Sequence, residues 1–185
     1  NLMQIISIIN QKGGVGKTTT VINLAAGLSQ LNKKILVIDL DPQGNATTGL
    51  GLSNMDNSSD TIYGVLNGTK EIGEVIKKTQ FENLDIITSN VDLSGLEVET
   101  ADDSNRAFIL KAKLAAYLNN SRDSYDYILI DCPPSLSLLT VMALVSSHSL
   151  LVQLQTEFFA LEGLTQLMKT IERVKVNLNP ELKIR

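Results

Sequence analysis

Five short apolar runs recur along the chain, and each is typical of a strand that is buried on both faces. They cover residues 4–10, 34–39, 84–88, 127–131 and 148–154. Stretches with apolar residues three or four positions apart lie between them and predict helices. The longer helices cover residues 17–31, 105–118, 136–145 and 161–178, and two short ones cover 61–66 and 71–77. Residues 40–60 are rich in Gly, Asn, Ser and Asp and predict loop or turn.

The alternation of apolar strands with helices predicts the fold class. Strands that are apolar throughout belong to a mostly parallel sheet covered by helices on both faces, which makes a three-layer α/β fold. No internal repeat, low-complexity tract or linker divides the chain, so we expect one domain over residues 1–185. The last residues, LKIR, have the pattern of a further strand, so we expect a sheet that is cut short at its C-terminal end.

Composition narrows the functional classes. The 185 residues are 43% hydrophobic and carry a formal net charge of −4, which suits a soluble domain and does not indicate nucleic-acid binding by bulk charge. No apolar run is long enough for a membrane span, and we expect no secretory signal. Cys132 is the only cysteine, so an intrachain disulfide and a cysteine-rich metal site are excluded within one chain.

Residues 10–20, NQKGGVGKTTT, follow the first strand and open the first helix, which is the context of a phosphate-binding loop. The glycines let backbone N–H groups face phosphates together with the positive end of the helix. Lys17 would reach the β- and γ-phosphates, and the Thr18 hydroxyl would bind Mg²⁺. The nucleotide-binding residues are then Lys12, Gly13, Gly14, Val15, Gly16, Lys17, Thr18 and Thr19. The alternative is a glycine-rich turn with lysines placed by chance.

The loop differs from the usual spelling G-x-x-x-x-G-K-[ST], because Gln11 replaces the first glycine and Lys12 adds a second cation. Lys12 is either a solvated loop lysine, the usual situation of lysine, or a cation that reaches the nucleotide of a second subunit. In the second case it would stabilise negative charge in trans, as an arginine finger does.

Three aspartates lie at or just after the ends of two predicted strands. Asp39 and Asp41 belong to LVIDLDPQGN, and Asp131 belongs to YILIDCPPSL. Ligands of open α/β sheets bind at the carboxyl ends of the strands. Asp131 is therefore the expected magnesium-side carboxylate, directly or through water. Asp39 and Asp41 flank Leu40 and would point the same way if the strand continued. The alternatives are a turn or helix cap at Asp131 and a pair of turn aspartates before Pro42.

The sequence KGGVGKTT at residues 12–19 resembles the deviant phosphate loop of the ParA/Soj/MinD group of ATPases. Three further stretches resemble ParA/Soj partitioning proteins rather than MinD: TIYGVLNG at 61–68, PPSLSLLT at 133–140 and TEFFALEGL at 156–164. The resemblance implies a P-loop NTPase fold that lacks the C-terminal part of the family domain. It also implies ATP, ADP and Mg²⁺ as ligands.

The same resemblance implies roles for individual residues. Lys12 would contact the partner's nucleotide in an ATP-dependent sandwich homodimer, with Lys17 as the second catalytic lysine. Asp41 would orient the attacking water as the third catalytic residue. Thr18, Asp39 and Asp131 would lie at the metal. The residues Gln43–Asn45 would belong to a loop that senses the γ-phosphate.

The resemblance further implies a cycle. The ATP dimer would bind DNA non-specifically through the missing C-terminal part, and a ParB-like protein would stimulate hydrolysis. The cycle of ATP binding and hydrolysis would segregate chromosomes or plasmids. The protein would be cytoplasmic and associated with the nucleoid, and no stable membrane association is expected. Two alternatives stay open: a MinD-like membrane-cycling ATPase, and a nucleotide-binding scaffold without turnover.

Two residues depart from the family pattern. Met142 replaces a usual asparagine and calls into question polar contacts near the nucleotide or the dimer face, and Gln153 replaces a usual proline and affects backbone geometry at a strand end. The single Cys132 argues against the iron–sulfur cluster of nitrogenase iron proteins, which use two cysteines per chain, and predicts a packing residue. His148, the sole histidine, has no evident partner for catalysis, so we expect it to be structural or exposed.

Overall fold

A computed structural model of the protein describes residues 2–10, 17–55, 57–122, 124–154 and 161–185, with the backbone alone for residues 17–19 and 161. Its strands are β1 Gln4–Asn10, β2 Ile35–Asp39, β3 Ile76–Lys78, β4 Leu84–Ile87, β5 Tyr127–Asp131, β6 Ser149–Gln153 and β7 Lys183–Ile184. Its α-helices are α1 Lys17–Gln30, α2 Asn45–Gly49, α3 Ile62–Leu66, α4 Ile72–Val75, α5 Leu96–Glu99, α6 Ile109–Asn120, α7 Leu138–Ser146 and α8 Leu161–Asn177. Short 3₁₀ turns cover Ser58–Asp60, Val91–Gly95 and Arg106–Phe108.

The strands form one seven-stranded sheet in the order β3-β4-β2-β5-β1-β6-β7. Every neighbouring pair is parallel except β3 with β4. β1 lies between β5 and β6, so the chain leaves β1 at the middle of the sheet. The mostly parallel sheet expected from the apolar runs is thus confirmed.

Successive strand residues point to opposite faces, and both faces are covered. In β2, Leu36 and Ile38 join a cluster on one face with apolar residues of α3, α4, α6, α7 and α8. Ile35 and Val37 join a cluster on the other face with Val21 and Ala25 of α1. The central strands are mostly apolar because helices cover both faces of the sheet, which gives the three-layer architecture.

Most of the predicted elements are confirmed, and two predictions were wrong. Residues 71–77 do not form one helix, because α4 ends at Val75 and residues 76–78 pair with β4 as the antiparallel edge strand β3. The predicted loop over 40–60 contains the five-residue helix α2 and a 3₁₀ turn. The expected strand in LKIR is present as β7.

Because the strands are parallel, the carboxyl ends of β1, β2, β4 and β5 meet at one edge of the sheet. The segments that follow β2, β4 and β5 therefore begin at the same edge, although they are far apart in sequence. Among the described residues, no helix combines the length and the apolar character needed to cross a membrane.

Candidate functional site

Two of the predicted site aspartates are neighbours at the edge of the sheet where the strands end. Asp39 of β2 is in register with Asp131 of β5, and the strands of a sheet lie about 4.8 Å apart. Leu40 N donates a 2.9 Å hydrogen bond to the Asp131 carbonyl, so the pairing extends past the end of β2. Asp131 is also in register with Ile8 of β1, two residues before that strand ends. Three adjacent strands thus bring the two carboxylates to the sheet edge at which β1 ends.

Both carboxylates lie on the face of the sheet that α1 covers. Val37 and Leu129, two positions before Asp39 and Asp131, belong to the apolar cluster on that face. Asp39 is 0% exposed and Asp131 1% exposed, so neither can rely on bulk water to stabilise its charge. Buried charge of this kind is costly unless hydrogen bonds or cations compensate it.

The Asp39 carboxylate is hydrogen-bonded to the segment that follows β2. Its Oδ1 accepts from Asp41 N at 3.1 Å. Its Oδ2 accepts from Thr47 N at 2.9 Å and from Thr47 Oγ1 at 2.7 Å. Burial raises the pKa of Asp39 from 3.8 to about 6, although the hydrogen bonds from Thr47 and Asp41 act to lower it. The Asp39 carboxylate therefore holds the segment that follows β2 in place, at a cost in electrostatic free energy.

Asp41 occupies the first position of a tight turn. Its Oδ1 accepts from Gln43 N at 3.0 Å, and its carbonyl accepts from Gly44 N at 2.9 Å. Gly44 has φ 67, and a Cβ there would lie 3.4 Å from the Ser89 carbonyl oxygen. The turn therefore needs glycine for its backbone angle, and it packs in ordinary van der Waals contact with the segment after β4. It delivers the chain into α2, whose residue Thr47 bonds back to Asp39.

The segment after β4 closes the network. Ser89 N donates to Thr47 Oγ1 at 3.0 Å, and Ser89 Oγ donates to the Asp41 carbonyl at 2.8 Å. Neither Thr47 nor Ser89 can be identified from the sequence, because threonine and serine are not distinctive residue types and 42 positions separate the two.

Most of the predicted nucleotide-binding residues lie outside the described residues: Lys12, Gly13, Gly14, Val15 and Gly16. Helix α1 begins at Lys17 and includes Thr18 and Thr19, whose side chains are also outside the described part. Strand β1 ends at Asn10, so the predicted loop connects a central strand to a helix, as a phosphate loop must. The roles assigned to these residues stay predictions.

The two departures from the family pattern are accommodated locally. Met142 of α7 is fully buried in the apolar cluster on the face of the sheet that α7 covers, so its side chain packs in the core. Gln153 Oε1 accepts from Asn10 Nδ2 at 3.2 Å, and the two residues are in register at the ends of β6 and β1. The strand end keeps its sheet pairing without proline.

The remaining singled-out residues are structural. Cys132 is fully buried in the core, which confirms the packing role. His148 Nδ1 accepts from Ile5 N at 2.9 Å, and His148 N donates to the Ile5 carbonyl at 2.9 Å. His148 is exposed and extends the pairing between β1 and β6 by one residue, which agrees with the expectation of a structural or exposed histidine.

The donor set at this edge fits a hard divalent cation. Both oxygens of Asp131 are buried at the carboxyl end of β5, and carboxylate oxygens are ligands that Mg²⁺ prefers. Mg²⁺ is normally held by one or two protein groups together with phosphates and water, which suits a site beside a phosphate loop. Among the described residues, no three His, Cys, Asp or Glu side chains are arranged so that they could hold a metal ion together, so these residues do not form an all-protein metal site.

Comparisons with known proteins agree with this geometry. Residues 3–184 match the family model described as an AAA domain. The chain is 48% identical over 184 residues to the chromosome partitioning protein ParA of Caulobacter vibrioides, covering 100% of this chain and 68% of that protein. It is 47% identical over 181 residues to the sporulation initiation inhibitor protein Soj of Bacillus subtilis, covering 98% of this chain and 70% of Soj.

Solved structures share the architecture. Cobyrinic acid a,c-diamide synthase from Mycobacterium smegmatis, with bound ATP analogue and magnesium, superposes with a TM-score of 0.90 at 36% identity, covering 99% of this chain and 72% of the other. A putative plasmid partition protein from Borrelia burgdorferi bound to AMPPNP gives a TM-score of 0.79 at 30% identity, covering 99% of this chain and 73% of the other.

Proposed function

The chain belongs to the ParA/Soj family of partitioning proteins, and we propose that it is an ATPase whose Mg²⁺- and ATP-dependent cycle segregates DNA. The observation that carries the proposal is the order of β2, β5 and β1 in the sheet. The register makes Asp39 and Asp131 neighbours at the edge where β1 ends, and residues 11–16 connect that end of β1 to α1. Phosphate-loop NTPases need this arrangement, in which a glycine-rich loop and a helix start face carboxylates across the sheet edge.

Phosphate binding is assigned to the loop between β1 and α1. We expect the backbone N–H groups of Gly13, Gly14, Val15 and Gly16 to face the phosphates, with the first turn of α1 adding its positive end. Lys17 would neutralise the β- and γ-phosphates, and Thr19 would complete the binding set. Lys12 would extend to the nucleotide of a second copy. Relatives of this fold have been solved with an ATP analogue and with ADP, each with magnesium.

Metal binding is assigned to Thr18 and Asp131. When bound, Mg²⁺ would neutralise phosphate charge and orient the β- and γ-phosphates. The buried position of Asp131 excludes bulk water from its carboxylate and strengthens its interaction with a cation. Asp39 lies alongside, but its two oxygens accept three hydrogen bonds from residues 41 and 47, so its main task is to hold the loop beside the metal site.

Water positioning is assigned to Asp41. Hydrogen bonds at both its N–H and its carbonyl fix the Asp41 backbone, so the side chain starts from a fixed Cα position at the sheet edge. The proposed reaction is in-line attack of water on the γ-phosphorus, which releases phosphate and leaves ADP. Catalysis of this kind depends on positioning and charge neutralisation rather than on covalent chemistry.

The cycle extends this chemistry to partners. The ATP-bound homodimer would bind DNA non-specifically, and a ParB-like protein would stimulate hydrolysis and release it, in the cytoplasm on the nucleoid and without stable membrane association. We propose that residues 1–185 form one ATPase domain that lacks the C-terminal part of the family domain. The chain spans 68% of the length of the Caulobacter ParA, and DNA binding is assigned to the remaining part of the complete protein.

ATP turnover of the full-length protein tests the proposal. We expect phosphate release with Mg²⁺ and ATP that increases when non-specific duplex DNA and a ParB-like partner are present. The Lys17→Ala variant is the matched control and should show no turnover. If the wild-type protein binds ATP and releases no phosphate under any of these conditions, the protein is a nucleotide-binding scaffold and the proposal is wrong.

A further inference from the structure

We propose that Thr47 and Ser89 are positioning residues, which hold Asp41 where it can orient the attacking water. This inference rests on the ATPase function proposed above. It starts from a closed set of hydrogen bonds among Asp39, Asp41, Thr47 and Ser89. All four residues are buried, from 0% exposed for three of them to 4% for Asp41.

The Thr47 hydroxyl is the centre of this set. It donates its proton to Asp39 Oδ2 at 2.7 Å and uses a lone pair to accept from Ser89 N at 3.0 Å. A hydroxyl has one proton and two acceptor sites, so these two bonds define its orientation. Thr47 thereby joins the carboxyl end of β2 to the segment after β4, two strands that are neighbours in the sheet.

Ser89 carries the connection from there to Asp41. Its Oγ donates to the Asp41 carbonyl at 2.8 Å, and the same carbonyl accepts from Gly44 N at 2.9 Å. On the other side, Asp41 N donates to Asp39 Oδ1 at 3.1 Å. The peptide groups on both sides of the Asp41 Cα are therefore fixed by three bonds. Two of these use the side chains of Asp39 and Ser89, which are themselves bonded to Thr47.

Such fixing matters for catalysis because positioning is the main contribution of this kind of site. A misplacement of about 1 Å can lower the rate by on the order of a hundredfold. Removing the Thr47 hydroxyl would leave Ser89 N without its acceptor and Asp39 Oδ2 without one of its donors. The turn over residues 41–44 would then be attached to the segment after β4 through the Ser89 Oγ bond to the Asp41 carbonyl, with the supporting bonds through Thr47 Oγ1 lost.

A positioning role predicts effects on turnover that are separate from ATP binding. Neither Thr47 nor Ser89 belongs to the segment of residues 12–19 that is proposed to bind the phosphates. Loss of their hydroxyls should therefore reduce kcat and leave the affinity for ATP in place. A merely structural role would instead lower stability and ATP affinity together.

The test compares Thr47→Val and Ser89→Ala with two matched controls in the full-length protein. Thr48→Val removes a neighbouring hydroxyl that is hydrogen-bonded to the carbonyls of residues 44 and 45, within its own turn of chain. Ser94→Ala removes a hydroxyl that is bonded to the carbonyl of residue 91. For each variant we would measure kcat, KM, affinity for a fluorescent ATP analogue and the melting temperature. Thr47→Ser keeps the hydroxyl and should recover most of the turnover lost in Thr47→Val.

We expect kcat to fall by on the order of tenfold to a hundredfold in Thr47→Val and Ser89→Ala, with ATP affinity unchanged. Both controls should keep wild-type kcat. The inference is overturned if both test variants keep wild-type kcat, if they lose ATP affinity and melting temperature in proportion to kcat, or if Thr47→Ser is as slow as Thr47→Val.

A second readout keeps the inference separate from the proposed function. Amide hydrogen exchange of residues 41–47 should be faster in Ser89→Ala than in the wild-type protein and the Ser94→Ala control, because the Asp41 carbonyl loses a donor. If the wild-type protein shows no turnover, the proposed function fails, and this exchange measurement decides whether the loop is held as inferred. Equal exchange rates in the three proteins would contradict the inference in either case.

Discussion

The buried carboxylate of Asp39 makes a prediction about stability and pH. Burial raises its pKa from 3.8 to about 6 in the folded protein. Well below pH 3.8 the carboxyl group is protonated in both the folded and the unfolded state, so no buried charge opposes folding. Above pH 6 it is ionised in both states, and the folded state bears the cost of a buried charge. The contribution of Asp39 to the free energy of unfolding therefore falls as the pH rises through this window, by about 3 kcal/mol in total at 1.36 kcal/mol per pKa unit.

Asp39→Asn isolates this contribution, because the amide is neutral at every pH. Urea unfolding of the wild-type protein and the variant would be measured between pH 4 and pH 7.5, without nucleotide or Mg²⁺. The amide NH₂ must face one of the N–H donors around it, which lowers the stability of the variant by an amount that does not depend on pH. The difference in unfolding free energy should then shift in favour of the variant by about 2.5 kcal/mol between pH 4 and pH 7.5, because part of the total is already lost at pH 4.

Thr47→Val provides a control that keeps the Asp39 carboxyl group and raises its pKa, whereas Asp39→Asn removes the titrating group. The hydrogen bond from the Thr47 hydroxyl lowers the pKa of Asp39, so its removal should raise that pKa further and move the window to higher pH. If wild type and Asp39→Asn differ by a constant amount across the whole pH range, burial does not control the charge of Asp39. The reasoning about this site would then be refuted.

Three further variants test separate parts of the account. Lys17→Ala should abolish ATP binding, because the β- and γ-phosphates lose their cation; calorimetry that shows wild-type affinity would refute this. Asp41→Ala should bind ATP and remain an ATP-bound dimer, because water positioning fails while phosphate contacts persist; normal phosphate release would remove Asp41 from the mechanism. Asn179→Ala should lower the free energy of unfolding by about 2–4 kcal/mol in urea, because Asn179 Nδ2 donates to three carbonyls at the end of α7, at 2.8, 2.8 and 3.4 Å; a loss within experimental error would contradict this.

The strands and long helices could be predicted because their pattern is local. Each apolar run of β1, β2, β4 and β5 is buried on two faces, and this shows directly in the sequence. β3 could not be predicted, because Ile76–Lys78 is a strand only through its pairing with β4, and nothing local stops the preceding helix at Val75. Helix α2 was missed for a similar reason: NATTG has weak helix propensity, and the Asp39 carboxylate stabilises the helix from outside by accepting from Thr47 N.

The site could be predicted in part. The positions of Asp39 and Asp131 follow from strand ends, so the sequence placed them at the same edge, and the register makes them neighbours. The expectation that Asp39 and Asp41 point the same way assumed that the strand continued, whereas the chain turns at Asp41 and bonds back to Asp39. Ser89 could not be identified, because its contact with Thr47 depends on the pairing of β2 with β4.

The central claim is that the loop of residues 12–19 binds ATP and that Lys12 serves the nucleotide of a second copy. A crystal structure of the full-length protein with Mg²⁺ and a non-hydrolysable ATP analogue tests both parts at once. The account predicts a dimer in which Lys12 Nζ lies within hydrogen-bond distance of the partner's nucleotide. A dimer in which Lys12 extends into solvent, or a loop that holds no nucleotide, would contradict it.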